Sequence, residues 1–339
     1  MSARIVRFGP GALARLPEVL AEVGVERPLL VTTLRGARSA GALARAGLFD
    51  GVRPHVPLET VHAAAAAARR ARADGIVALG GGSAIDTAKA AAVELLDEVE
   101  PRIVVVPTTY AGAEWTPYFG MLLEPGRKGG GADARVRPVA AVYDPLLTLE
   151  LPPGDTVGTA MNALAHCAEA YYHPRSGPEA AGRADAGAAA IARALPAVVE
   201  EPRSLAERTR LLEGAMHAAI ALDESGLCLG HAMAQALGGR YGLAQGTANA
   251  LCLPAALRFN AEAVPAAVAR FGRALAADDA AAGVEQLARL GGFGRLRDQG
   301  VPAGDLPAVA EEIAARPGAR ANPKPASAAQ IAELLRAVW

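Results

Sequence analysis

Ile76-Val77-Ala78-Leu79-Gly80-Gly81-Gly82-Ser83-Ala84-Ile85-Asp86-Thr87-Ala88-Lys89 sets a short apolar run, a triple glycine and an alanine-rich segment end to end. The first four residues suit a buried strand and residues 84–92 suit a helix, so the glycines form the turn between them. Glycine lets the backbone approach a pyrophosphate with no Cβ in the way. The free N–H groups of the helix start then meet the anion at the positive end of the helix dipole. Ser83 is the expected N-cap and a phosphate donor as well. Gly80, Gly81, Gly82 and Ser83 are therefore candidate cofactor-binding residues. The spacing differs from the GxGxxG of a Rossmann fingerprint and the turn follows a later strand, so a related but distinct nucleotide fold is implied.

Around this unit, β-branched runs alternate with helical stretches. Strands are expected at residues 4–8, 28–33, 76–79, 103–107 and 139–143, and crossover helices at 11–23 and 60–73, ended by Gly24 and by Asp74-Gly75. That pattern is a Rossmann-like α/β domain, a parallel sheet with helices on both faces. From Pro152 onward the strand signals vanish. Helical segments follow, with breaks expected at Pro174, Pro196, Pro202, Gly226, Gly238-Gly239, Pro254 and Pro302. At 339 residues the chain exceeds what one core usually serves. The sequence thus predicts an α/β N-terminal domain over 1–151 and an all-α C-terminal domain over 152–339. Stretches 124–134 and 315–325, rich in glycine or proline, read as loops.

With 34 basic against 35 acidic residues the formal net charge is −1, which gives no electrostatic case for nucleic acid or an anionic membrane as partner. A small-molecule substrate fits better. A hydrophobic share of 52% with 20% charged residues suits a helix-rich globular protein and excludes disorder. Cys167, Cys228 and Cys252 are scattered and lack CxxC spacing, so neither a disulfide framework nor a zinc knuckle is indicated. Met1-Ser2-Ala3-Arg4-Ile5-Val6 reads as an early strand without the apolar core of a signal peptide, and no apolar run is long enough to span a bilayer. A cytoplasmic location and a homodimer are expected.

The strand at 103–106 ends in Pro107-Thr108-Thr109-Tyr110-Ala111-Gly112-Ala113-Glu114-Trp115-Thr116-Pro117. Thr108 and Thr109 stand where strand ends of α/β folds meet a ligand, although threonines that merely cap a turn read the same way on chemistry alone. Residues 80–89 resemble the GGGSxxDxAK signature of the superfamily that joins iron-containing alcohol dehydrogenases, glycerol dehydrogenases and dehydroquinate synthases. Residues 107–117 are similar to PTTYAGxExTP, the maleylacetate reductase form of that family's PTT segment. His55-Val56-Pro57, Tyr143-Asp144-Pro145, Met161-Asn162-Ala163-Leu164-Ala165-His166 and Asn322-Pro323-Lys324-Pro325 match that branch too. The resemblance covers essentially the whole chain. It implies a dehydroquinate synthase-like fold, an NAD or NADP cofactor whose adenine side borders Thr108 and Thr109, and roles beside the cofactor for Asp86 and Lys128. After residues 29–33, Leu34-Arg35-Gly36-Ala37-Arg38 offers no acid to hold a ribose 2′-hydroxyl. Arg35 and Arg38 suit a 2′-phosphate, so the choice between NAD and NADP stays open.

Asn162 and His166 stand four apart on an expected helix and share one face, as do His231 and Gln235. For iron-type relatives the resemblance implies an aspartate and a histidine from the first helix, a histidine from the second, and a fourth ligand from a later segment. Those positions hold Asn162, His166, His231 and Gln245 here. Maleylacetate reductases share the asparagine but carry histidine where Gln235 and Gln245 stand, so the chain departs even from that branch. An amide is a poorer ligand than imidazole or carboxylate for Fe²⁺ or Zn²⁺, and no metal is expected. His166 and His231 are left to polarise a carbonyl and return a proton, with Asn162, Gln235 and Gln245 orienting and Tyr110, Tyr171 and His173 as auxiliaries. The expected function is NAD(P)H-dependent reduction of a carbonyl or enone. The lost ligands keep a second class open, a lyase, isomerase or cyclase step on the same scaffold, and a third, a catalytically silent binding protein.

Overall fold

The computed structural model describes residues 4–40, 47–124 and 127–339. The chain divides into two compact units, Met1–Thr109 with Ala113–Leu151, and Tyr110–Gly112 with Pro152–Trp339. The first contains strands β1 (Ile5–Phe8), β2 (Pro28–Val31), β3 (Gly47–Phe49), β4 (Gly75–Gly80), β5 (Arg102–Pro107), β6 (Tyr118–Glu124), β7 (Arg127–Ala132) and β8 (Ala140–Tyr143). Among the described residues β6 and β7 pair as an antiparallel hairpin, and the others form one parallel sheet in the order β1-β8-β5-β4-β2-β3. The helices of this unit are α1 (Leu16–Glu22), α2 (Leu34–Ala40), α3 (Leu58–Ala71) and α4 (Gly82–Val93).

All five strands read from the sequence are present; β2, β4, β5 and β8 carry apolar runs buried on both faces of the sheet, while β1, at the sheet edge, is only part-buried. Leu30, Val77, Leu79, Val104, Val106 and Val142 pack with Leu16, Val19 and Leu20 of α1. The intervening residues point the other way by the strand's alternation, and α3 and α4 pack against β2, β4 and β5. The sheet grows one way from β2 to β3 and the other way from β4 through β5 to β8. Its order therefore reverses between β2 and β4, the kind of switch point at which open α/β sheets bind ligands beyond their carboxyl ends. The glycine turn follows β4 at that place.

Several elements differ from expectation. The stretch expected as a loop at 124–134 carries β7, although Pro125 and Gly126 lie outside the described residues, as do residues 1–3 of the expected first strand. The other expected loop, 315–325, contains one helical turn, Pro317–Arg320. Residues 34–38 lie in α2, and Arg35 hydrogen-bonds the carbonyl of Glu150 instead of standing free for a 2′-phosphate.

The second unit is all helix: α5 (Pro153–Ala170), α6 (Pro178–Glu200), α7 (Leu205–Glu224), α8 (Leu229–Tyr241), α9 (Gln245–Ala261), α10 (Pro265–Ala274), α11 (Ala280–Arg289), α12 (Leu306–Ala314), α13 (Pro317–Arg320) and α14 (Ala328–Ala337). Three expected breaks are not breaks. Pro196 lies inside α6 on its exposed side, where water can satisfy the carbonyl that loses its N–H partner. Pro254 lies inside α9, buried among packed helices that outweigh its local cost. The Gly238-Gly239 pair continues α8, which stops instead at Gly242 in the left-handed conformation (φ 69°). Among the described residues no helix is long and apolar enough to cross a membrane.

Candidate functional site

In the first unit, the ends of β4 and β5 bring the nucleotide candidates together. Thr108 N–H donates to the Gly80 carbonyl at 3.0 Å. A Cβ on Gly81 would stand 2.9 Å from Thr109 Cγ2, and one on Gly80, at φ 155°, would stand 2.7 Å from Ala84 Cβ. Glycine at both positions thus lets β4, Thr109 and Ala84 meet closely and leaves the turn a backbone cradle bare of side chains, as the approach of a pyrophosphate requires. Gly81, extended and without a side-chain cap, is the N-cap of α4, so Ser83 falls inside the first turn and the expectation that it caps the helix is corrected. Helix geometry leaves the N–H groups of Gly82 and Ser83 without an intrahelical acceptor, facing the cradle's end of the dipole.

Asp86, one turn on, accepts the Gly120 N–H at 3.0 Å and so ties α4 to the β6–β7 hairpin. Burial raises its pKa, against the pull of Lys89, the Gly120 N–H and Lys128. Asp86 thus acts on the hairpin that carries Lys128. The sequence reading passed over Lys89. Fully buried, it donates to the carbonyls of Ala113 (2.5 Å) and Tyr118 (2.9 Å) and holds the segment after the PTT motif; burial brings its pKa down to about 8.

In the second unit, α5, α8 and α9 build a continuous polar chain in an otherwise apolar interior. The Ala111 carbonyl can only accept, so it fixes Asn162 Nδ2 at 2.7 Å; Asn162 Oδ1 then accepts from Asn249 Nδ2 at 2.7 Å. The Asn162 amide also faces His166 Nε2 at 3.3 Å. That makes Nε2 the acceptor and places the ring proton on Nδ1. The His166 and His231 rings stack with centroids 4.8 Å apart and planes 11° apart. Burial first, and then His231, hold His166 well below the ordinary histidine pKa, so it is neutral near pH 7. Among the described residues His166 Nδ1, His231 Nε2 and Asn249 Oδ1 are buried without a hydrogen-bond partner. Each such atom costs about 1–3 kcal/mol, and clustered orphans point to a ligand rather than to packing.

Glycines make this approach possible. A Cβ on Gly112, at φ 81°, would stand 3.1 Å from the His166 ring. A Cβ on Gly246 would lie 2.0 Å from the Gly158 carbonyl oxygen, so α9 crosses α5 at backbone contact and delivers Asn249 to Asn162. Gly246→Ala should therefore force the helices apart, lowering stability by about 3 kcal/mol in denaturant unfolding. An unshifted midpoint would contradict this crossing.

Gln235 lies half-buried one turn beyond His231 on α8, and Gln245 opens α9. Tyr110 requires a correction. It has no exposed surface, and its hydroxyl accepts from buried Arg208 Nη1 at 3.2 Å, which makes it a packing residue with no face for a substrate. Tyr171 donates to Asp185 at 2.7 Å, while the His173 ring accepts the Arg175 N–H at 3.2 Å; neither belongs to the polar chain. The sequence reading missed Asn249 and also Glu169, whose carboxylate meets His231 Nδ1 at 2.8 Å. A glutamate three residues after His166 in an alanine-rich helix was the available signal, since acids are almost never buried without partners.

As arranged, the donor set does not fit a divalent metal. His166 Nε2 faces an amide N–H, Asn162 Oδ1 is taken by Asn249, and the two rings lie side by side instead of converging. The described residues contain no group of three or more His, Cys, Asp or Glu side chains placed to hold one.

Two family models match the chain, iron-containing alcohol dehydrogenase over residues 3–145 and the C-terminal domain of the Fe-containing alcohol dehydrogenase family over residues 156–339. The chain belongs to the iron-containing alcohol dehydrogenase family. It is an oxidoreductase of that family. Maleylacetate reductase from Pseudomonas knackmussii is 39% identical over 317 residues, 91% of this chain and 88% of that protein. The maleylacetate reductase of Sphingobium indicum is 38% identical over 337 residues, 97% of this chain and 94% of its own length. Among solved structures, maleylacetate reductase from Agrobacterium tumefaciens superimposes with a TM-score of 0.90 at 33% identity, covering 100% of this chain and 97% of that one. A putative alcohol dehydrogenase from Ralstonia eutropha does so with a TM-score of 0.92 at 37% identity, covering 100% and 96%.

Proposed function

We propose that this family member is an NAD(P)H-dependent reductase of a small activated carbonyl or enone, maleylacetate being the leading candidate, and that it works without a metal. The observation that carries the reading is the buried, stacked His166–His231 pair with an unpartnered nitrogen on each ring. The glycine cradle, with Thr108 and Thr109 beside it, supports the cofactor. Bound NAD(P)H would supply the hydride. His231, its Nδ1–H held by Glu169, takes up a proton on its otherwise bare Nε2 and delivers it to the oxygen that gains charge as hydride arrives. The Glu169 carboxylate stabilises the imidazolium that exists between proton uptake and delivery. For a ketone the hydride goes to the carbonyl carbon and the proton to oxygen. For an enone the hydride would go to the β-carbon, and the neutral enol formed as oxygen takes the proton would return to the ketone with its new C–H at the α-carbon. Asn162 orients His166, and Gln235 and Gln245 can donate amide hydrogens but no proton.

The test is to follow NADH and NADPH absorbance with maleylacetate, using protein purified without chelator and assayed for iron and zinc. Turnover with metal far below one per chain is expected. A stoichiometric, tightly held metal needed for turnover would overturn the metal-free reading. Cofactor binding without oxidation by maleylacetate or by simple ketones and aldehydes would favour the lyase, isomerase or cyclase alternative.

A further inference from the structure

Helix α8 has no side-chain cap of its own at Cys228. Its cap comes from α5. Glu169, with no exposed surface, accepts the Cys228 N–H at 2.7 Å through Oε2 and the His231 N–H at 3.1 Å through Oε1. Those two bonds would satisfy a helix start. The same Oε2 also meets His231 Nδ1 at 2.8 Å, and that contact does something different, because it goes to the ring. With both oxygens accepting N–H donors, the ring hydrogen must sit on Nδ1, leaving Nε2 bare, and Nε2 is the atom that has no partner. A second device keeps the carboxylate in place: a Cβ on Gly230 would stand 3.0 Å from Glu169 Oε1, so glycine leaves room for the oxygen beside the helix it caps.

We infer that Glu169 is a positioning residue, which through its contact with His231 Nδ1 fixes the orientation and tautomer that turn the bare Nε2 toward the reacting oxygen. The inference rests on the reading of His231 as the group that meets that oxygen. Carboxylates that orient a functional histidine in this way commonly contribute about 10–100-fold in activity.

Nitrogen-15 spectra of histidine-labelled full-length protein should show a buried imidazole with hydrogen on Nδ1 and none on Nε2, assigned by its loss in His231→Asn. Glu169→Gln cannot offer two acceptors, so this signature should disappear, and kcat for NADH-dependent reduction of maleylacetate should fall by about 10–100-fold with KM for NADH unchanged. Gly230→Ala is the second variant. It improves helix propensity by up to about 1 kcal/mol, so it should fold, yet its methyl presses on Oε1 and should shift the same resonances and lower kcat in the same direction. If both variants keep the wild-type kcat, or lose cofactor binding and turnover in equal proportion, Glu169 is a helix cap alone and the proposal is overturned. If maleylacetate is not turned over at all, the functional reading fails separately, and the spectrum decides: a His231 ring carrying its hydrogen on Nε2 in the wild type overturns the assignment.

Discussion

Exchanging His231 for asparagine is expected to lower kcat for maleylacetate reduction by about 10²–10⁴-fold, the usual contribution of a positioned general acid, with NADH affinity unchanged. Asparagine keeps an N–H that can reach the Glu169 carboxylate, so the cap of α8 and the buried pair of hydrogen bonds survive in outline. What disappears is the only atom in the polar chain that is both unpartnered and able to carry a proton on a ring backed by a carboxylate. His166 cannot replace it. Its Nε2 is committed to Asn162, and burial keeps its ring neutral at the pH where the reductase would work. Steady-state kinetics with a parallel cofactor titration check the claim, and a variant that turns over at the wild-type rate would remove His231 from the chemistry.

The residues at issue show what a sequence discloses and what it withholds. β4 and β5 were legible because their apolar runs are buried on both faces, and the helix after the glycines was legible from its alanines. β3 was not, being three residues long at the sheet edge. The β6–β7 hairpin was hidden by its own glycines. Gly129-Gly130-Gly131 reads as a loop by propensity, yet a Cβ on Gly130 would fall 2.3 Å from the Phe119 carbonyl oxygen, so glycine is there because the strands lie that close. His166 and His231 were found each by its four-residue spacing to an amide on its own helix, Asn162 on α5 and Gln235 on α8, and by motif, which are local signals. Glu169, Asn249 and Lys89 act across helices and loops, and a linear reading has no handle on such pairs beyond the oddity of a charge in an apolar stretch. Tyr110 failed for the converse reason. It sits inside a motif, but its hydroxyl is spent on Arg208, a contact 98 residues away in the chain.

The cofactor half of the proposal has its own decisive variant. Gly81→Val should weaken NADH binding by about 10²-fold, the equivalent of about 3 kcal/mol, while leaving the far-ultraviolet spectrum of the folded protein unchanged. Backbone conformation is not the obstacle, since Gly81 at φ −81° and ψ −170° lies in a region open to any residue. Space is. Its Cβ would already stand 2.9 Å from Thr109 Cγ2 and 3.1 Å from Thr109 Oγ1, and valine adds two methyl groups to a position with no room for one. The far side gives little, because the stretch after the PTT segment is pinned by Lys89 through the Ala113 and Tyr118 carbonyls. The methyls must therefore occupy the cradle, where the N–H groups of Gly82 and Ser83 are held for an anion. Isothermal titration with NADH and NADPH reads the loss directly, separately from any chemical step. Wild-type affinity in the valine variant would mean that the pyrophosphate does not lie on this turn, and the glycines would then be explained by the meeting of β4, Ala84 and Thr109 alone.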